Sequence, residues 1–191
     1  TCIAFAILLA GFLAYSNSFY NDFVWDDASS ILRHQHVQDP SKFLQLFKED
    51  LHAFGRGQGN FYRPLLAASF MLDYALSRPA PGNDPSPFLF HLSNTLWHIA
   101  AALLLLAILR RFEAPRAVCT VVPILYVLHP IHTQAVTYIS GRGDPMSATF
   151  LFAALWFALW EGSAYRRLIG TSVSLLAFVA GVLSKESATI F

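Results

Sequence analysis

Charge is what this chain has least of. Only 13% of its 191 residues are Asp, Glu, Lys or Arg, about half the share of an ordinary soluble domain. The formal net charge is +1, which leaves no basic surplus for a nucleic-acid surface. There are two cysteines. Cys2 and Cys119 each sit inside an apolar run, which speaks against a disulfide framework or a cysteine-rich metal centre. Asn17, Asn60 and Asn94 form no N-x-S/T glycosylation site. Internal repeats and low-complexity tracts are missing too.

Apolar residues fill the space: 55% of the chain is hydrophobic and 15% aromatic. Charge-free runs fall at about 1–15, 88–109, 117–128, 146–160 and 168–183. A helix needs roughly 17–25 residues to cross a bilayer. Only the second run reaches that length unaided, and the others borrow flanking residues such as Trp160 and Tyr165. The first run has no charged flank and no small-residue cleavage site, so it reads as a span and not a signal peptide. Five runs in sequence predict an all-α, polytopic membrane helix bundle. The whole chain, 1–191, reads as the N-terminal part of a membrane domain, cut at both ends.

Orientation comes from the short loops, where Lys and Arg mark the cytoplasmic side. Arg110, Arg111 and Arg116 occupy one loop and Arg166 and Arg167 another, and five spans put both on one side. A long first loop, 16–87, then lies outside, with "HPIHTQAVTYISGRGD" and "SKES". Within that loop Phe43, Phe47, Leu51 and Phe54 share one face of an amphipathic helix, capped by Asp39 or Ser41 and destined for the membrane surface. "GRGQGN" reads as a turn. "NFYRPLLAASFMLDYALS" reads as a second helix with Asn60 near its cap and Pro64 in its first turn, and "RPAPGNDPSP" as a hinge.

The polar residues gather on the external face: Asp26, Asp27, Arg63, His129, His132, Arg142, Asp144, Lys185 and Glu186. They come from four stretches, each at the end of an apolar segment. Singly, each has a plain reading as a cap, a snorkelling arginine or an interfacial anchor. Both signs meeting repeatedly on one face point instead to a polar pocket atop the bundle. His129 and His132 are two candidate metal ligands without a clear third, so no metal site is assigned. His91 and His98, seven apart in the second run, read as packing residues.

In these residues the chain resembles the membrane portion of the TMTC proteins, transmembrane proteins with C-terminal tetratricopeptide repeats, which belong to the GT-C glycosyltransferases. The matching pieces are "YSNSFYNDFVWDD", "FYRPLLAASFMLDYAL", "FHLSNTLWHIAAALLLL", "LHPIHTQAVTYISGRGD" and "VLSKES", in the family's order and spacing. No tetratricopeptide region is present in this chain. The resemblance implies a GT-C-like bundle whose first external loop holds an acidic pair above a lipid-linked sugar. It also implies transfer of that sugar, mannose or a similar hexose, from a polyprenyl- or dolichyl-phosphate to a hydroxyl acceptor, protein Ser/Thr first. The acidic pair maps onto Asp26 and Asp27, and the arginine of "YRP" onto Arg63. The resemblance implies "HPIHTE" in many relatives where this chain has Gln134, which puts any role for that acid in doubt.

Such chemistry needs a base for the acceptor proton and fixed cations for the leaving phosphate. Asp26 or Asp27 fits the first, with a lean to Asp26. Arg63, Arg142 and Lys185 fit the second, with Tyr62, His129, His132, Asp144 and Glu186 in support. Direct attack predicts inversion at the anomeric carbon. No cofactor is required beyond the lipid-linked donor, and a divalent metal is possible. The expected partners are the polyprenyl-phosphate sugar, a hydroxyl-bearing acceptor and the bilayer, without nucleic acid. The expected location is a bacterial cytoplasmic membrane, or alternatively the endoplasmic reticulum, with the site on the external or luminal face. The rival readings are a transporter with a charged external vestibule and a non-catalytic membrane scaffold.

Overall fold

The structure is a computed structural model that describes residues 2–54, 61–77 and 83–190. Among them every regular element is helical, with no strand. The principal helices are α1 (Cys2–Tyr15), α2 (Pro64–Ser77), α3 (Phe88–Arg111), α4 (Arg116–Leu128), α5 (Thr133–Thr137), α6 (Gly143–Ala158) and α7 (Ala164–Ser184). The apolar runs thus become α1, α3, α4, α6 and α7. The expected cap Asn60, the turn over 55–60 and the first half of the hinge (78–82) lie outside the described residues.

Fewer segments than five have the length to span. Cys2–Tyr20, Phe88–Arg111 and Ala164–Ser184 are long and apolar enough to cross a membrane. A fourth joins them if α4 and Pro130–Thr137, which meet at a 41° bend, form one broken span. Pro130 causes that break, since it has no N–H to continue the ladder. α6 has 16 residues, about 24 Å at the helical rise and short of a ~30 Å hydrocarbon core. Gly162, at φ +129°, turns the chain soon after it. Length and composition together make this an integral membrane protein.

The surface helix expected to run through Phe54 stops early. A 3-10 segment covers Pro40–Phe47, and Asp39 caps it by accepting from the Ser41 N–H at 2.9 Å. Phe43 and Phe47 do pack together, 5.4 Å apart. Beyond them the Leu51 N–H donates to the Phe61 carbonyl at 3.0 Å. The Asp50 carboxylate takes the N–H groups of His52 and Phe61. Those donors are spent on a loop closure, so no helix can use them.

Helices meet where side chains are small. A Cβ on Gly11 would stand 2.5 Å from Ile99 and 3.1 Å from Val127, so its absence lets α1 lie against α3 and α4. Gly170 does the same for α7, where a Cβ would stand 2.9 Å from the Phe157 carbonyl oxygen of α6.

One buried polar knot joins the elements beneath the polar end. Arg142 is fully buried. It donates to Asn94 at 2.6 Å, Ser69 at 3.1 Å and the Phe90 carbonyl at 2.8 Å. Its Nη2 lies 2.6 Å from Asp73 Oδ2, whose other oxygen accepts from Ser93. Asn94 in turn donates to the carbonyls of Val136, Tyr138 and Ile139. A buried charge is tolerated only when paired and hydrogen-bonded, and here α2, α3 and the 136–142 segment supply the partners.

Candidate active site

The two aspartates leave one turn in opposite directions. Val24 and Asp27 close that turn twice: the Asp27 N–H donates to the Val24 carbonyl at 3.0 Å, and the Asp27 carboxylate accepts from the Val24 N–H at 2.9 Å. The other Asp27 oxygen takes both the N–H of Ser140 at 2.9 Å and its hydroxyl at 2.5 Å. Asp27 is therefore buried and spent on holding the loop to the 139–142 segment. Burial pushes its carboxyl above the usual range, against the pull of the Ser140 and Val24 donors. Trp25 just before the pair has φ +48°, a left-handed conformation costly for a bulky residue.

Asp26 faces the other way. It is exposed and makes no side-chain hydrogen bond among the described residues. It lines a cavity of about 420 Å³ at this end of the bundle, together with Arg63, Asp144, Lys185, Gln134 and His52. Its backbone N–H donates to the Tyr138 hydroxyl at 3.3 Å. Burial pushes the Tyr138 hydroxyl up to about 12, so it keeps its proton.

The cavity's cations are held by neighbouring acids. Arg63 makes a two-pronged contact with Glu186, Nε at 2.8 Å and Nη2 at 2.5 Å. That guanidinium holds Glu186 down at about 2. Lys185 reaches Asp144 at 2.5 Å. A segment after α7 thereby grips the residue before α2, and the same turn ties α7 to the start of α6.

The remaining expected residues fall elsewhere. Arg142 is sealed in the buried knot, so its donors face protein and not the cavity, which corrects its expected place on a donor phosphate. Tyr62 turns away and donates to the Phe47 carbonyl at 3.0 Å. His129 caps the turn after α4 by accepting from the Ile131 N–H at 3.2 Å. His132 packs at a tilt against Tyr126 and His98, with ring centres 4.7 and 4.9 Å away. It lines a second chamber of about 320 Å³ that shares Ile131, Ala135 and Asp144 with the first. Among the described residues no group of three His, Cys, Asp or Glu comes together to hold a metal. Sequence reasoning passed over Tyr138, Ser140, His52 and the Asp73–Asn94 pair. Only "YISGRGD", standing next to a charge cluster, could have drawn attention to the first two.

An unpaired carboxylate and two positioned cations lining one polar hollow, where apolar helices end, suit proton removal beside a phosphate. No family model matches the chain, and no solved structure matches it. Curated sequences do. The mouse protein "Protein O-mannosyl-transferase TMTC3" is 30% identical over 177 residues, 90% of this chain and 18% of its own length. The Drosophila melanogaster "Protein O-mannosyl-transferase Tmtc2" is 30% identical over 196 residues, 98% of this chain and 20% of its own length. The human "Protein O-mannosyl-transferase TMTC1" is 33% identical over 159 residues, 78% of this chain and 17% of its own length. This chain therefore spans about a fifth of the length of the curated relatives it matches.

Proposed function

The chain belongs with the TMTC-like proteins, and from that premise we propose that it is the donor-facing part of a membrane glycosyltransferase. The enzyme moves mannose or a similar hexose from a polyprenyl-phosphate to a serine or threonine hydroxyl of a protein. The relatives are named for O-mannosyl transfer, which supports both the sugar and the protein acceptor. Those named above are animal proteins, so they lend no support to a bacterial cytoplasmic membrane. The alternative, the luminal face of the endoplasmic reticulum, is the one we carry forward.

The observation that carries the reading is the 420 Å³ cavity with its one uncommitted carboxylate, Asp26, and two positioned cations, Arg63 and Lys185. The acceptor oxygen bonds to the anomeric carbon as the bond from that carbon to the phosphate oxygen breaks. The acceptor proton passes to Asp26, and the lipid leaves as its phosphate. Attack from the face opposite the phosphate inverts the anomeric centre. Arg63 and Lys185 meet the charge gathering on the phosphate; a guanidinium offers the two-pronged contact that phosphate oxygens match. Glu186 and Asp144 keep the two cations aimed. Asp27 holds the turn that presents Asp26, and it acts through position alone. The prenyl tail lies against the lipid-exposed helices beside the cavity.

The test is sugar transfer by the full-length protein in proteoliposomes, with a polyprenyl-phosphate mannose donor and a Ser/Thr peptide. Wild type should mannosylate the peptide, and Arg63→Ala should lose transfer while still inserting. Solute flux across the same vesicles, without transfer by wild type, would sink the enzyme reading and leave the transporter.

A further inference from the structure

The opposite end of the bundle carries a second built site, independent of the transferase reading. A cleft of about 540 Å³ is lined there by Arg111, Trp156, Trp160, Glu161, Gly162 and Arg166. We propose that this cleft binds the phosphate headgroup of an anionic membrane phospholipid, with Arg111 and Arg166 on the phosphate and the two tryptophans against the glycerol and upper chain.

Three features of the cleft point to that ligand. The first is its composition. Trp156 and Trp160 are four apart at the end of α6 and pack edge to face, 5.4 Å between ring centres. Tryptophan at the end of an apolar helix sits at the headgroup level of a membrane. Arg166, one turn into α7, lies over the Trp160 ring at 5.5 Å, so a cation and an aromatic wall face one space. The wall is rigid, because Gly170 lets α7 pack directly on Trp160 and Phe157.

The second is the state of Arg111. Its Nε and Nη2 donate to the Leu159 carbonyl at 3.3 and 3.1 Å, which fixes the guanidinium at the cleft. Its acidic partner is Glu161, 3.0 Å away, with the two side chains 42% and 84% exposed. An exposed pair of this kind contributes little, so Glu161 is a placeholder that a phosphate can displace. A guanidinium has five N–H donors, and the Leu159 carbonyl uses only part of them.

The third is the surrounding field. Arg167 follows Arg166, and Arg110 and Arg116 line a neighbouring hollow of about 380 Å³ with Cys2 and Cys119. Five arginines meet two acids, Glu113 and Glu161, at this end. A soluble anion would find the same arginines but would gain nothing from Trp156 and Trp160. Basic hollows between spanning helices on the cytoplasmic side suit anionic headgroups, and the loop arginines place this end there.

The experiment is native mass spectrometry of the full-length protein released from nanodiscs of phosphatidylcholine containing one fifth phosphatidylglycerol, with lipid occupancy read as a function of released lipid. Wild type should retain phosphatidylglycerol over phosphatidylcholine. Arg111→Gln and Arg166→Gln should each lower that retention about tenfold, the equivalent of the ~1.5 kcal/mol that a direct hydrogen bond to a charged group contributes. Arg167→Gln removes the same charge outside the cleft and should leave retention near wild type. Glu161→Gln removes the competing carboxylate and should raise it. Equal loss in Arg167→Gln and Arg111→Gln would overturn the proposal, leaving only a diffuse field. So would displacement of the retained lipid by millimolar inorganic phosphate, which would make the site one for a free anion.

Discussion

At the scale of the residue, two adjacent acids have been given opposite duties by one turn. Asp27 is buried against Ser140 and Val24, whereas Asp26 faces the cavity with its carboxylate uncommitted. Nothing in the string "VWDD" separates them; the separation needs Ser140, 113 positions away. Arg142 was legible as a charge near a site but not as a buried one, because its partners Asp73 and Asn94 sit in what reads as two apolar helices. Removing it should be costly. Arg142→Ala leaves Asp73 unpaired in the interior and should destabilise the fold by about 3–5 kcal/mol. The double change Arg142→Met with Asp73→Leu should recover much of that loss, as thermal unfolding in detergent would read. Glu186 gives a prediction in pH. Arg63 lowers its carboxyl from 4.5 to about 2. A lowered acid stabilises the fold fully above its ordinary value and loses that contribution as pH falls toward the folded one. The Tm advantage of wild type over Glu186→Gln should therefore hold steady above pH 4.5 and vanish by about pH 2. An advantage that grew on acidification would contradict the ion pair.

At the scale of the element, the apolar runs named five helices correctly in place but not in reach. α4 ends near Leu128 because His129 and Pro130 follow it, and α6 ends at Ala158, four residues before Gly162 turns the chain at positive φ. The amphipathic helix through Phe54 failed for a similar reason. Its spacing of phenylalanines was right, yet Asp50 claims the backbone N–H groups of His52 and Phe61 for a loop closure. Side-chain competition of this kind is invisible to periodicity. The segment after α5 carries its own test. Gly141 lines the cavity, and a Cβ there would stand 2.8 Å from the Gln134 carbonyl oxygen and 3.2 Å from the Ala135 Cα. Both contacts are backbone, so neither can swing aside. Gly141→Ala should push α5 away from the 139–142 segment and loosen the Ser140 grip on Asp27. Transfer should fall at least tenfold while membrane insertion persists, and an unchanged rate would show that this register is not needed.

At the scale of the whole molecule, the two ends of the bundle differ in kind. One end mixes acids and bases around a polar hollow, and the other sets arginines among tryptophans. That asymmetry was legible in the sequence, since it rests on which apolar run each charge follows. The convergence of 26, 63, 138, 144 and 185 on one cavity was not, because it depends on how α2 and the loop before it fold back over α6 and α7. Convergence is also what makes the central claim testable: Asp26 removes the proton and Asp27 only presents it. The decisive measurement is the turnover of sugar transfer by full-length wild type, Asp26→Asn and Asp27→Asn, each alongside its Tm. Asp26→Asn should lose about 10²–10⁴-fold in turnover, the usual range for a general base, with Tm unchanged. Asp27→Asn should lose Tm together with rate, since an amide has one acceptor oxygen for the two sides, and either the Val24 N–H or the Ser140 N–H would face its NH2 group. A folded Asp26→Asn that turns over at the wild-type rate, beside an inactive Asp27→Asn with wild-type Tm, would contradict the account.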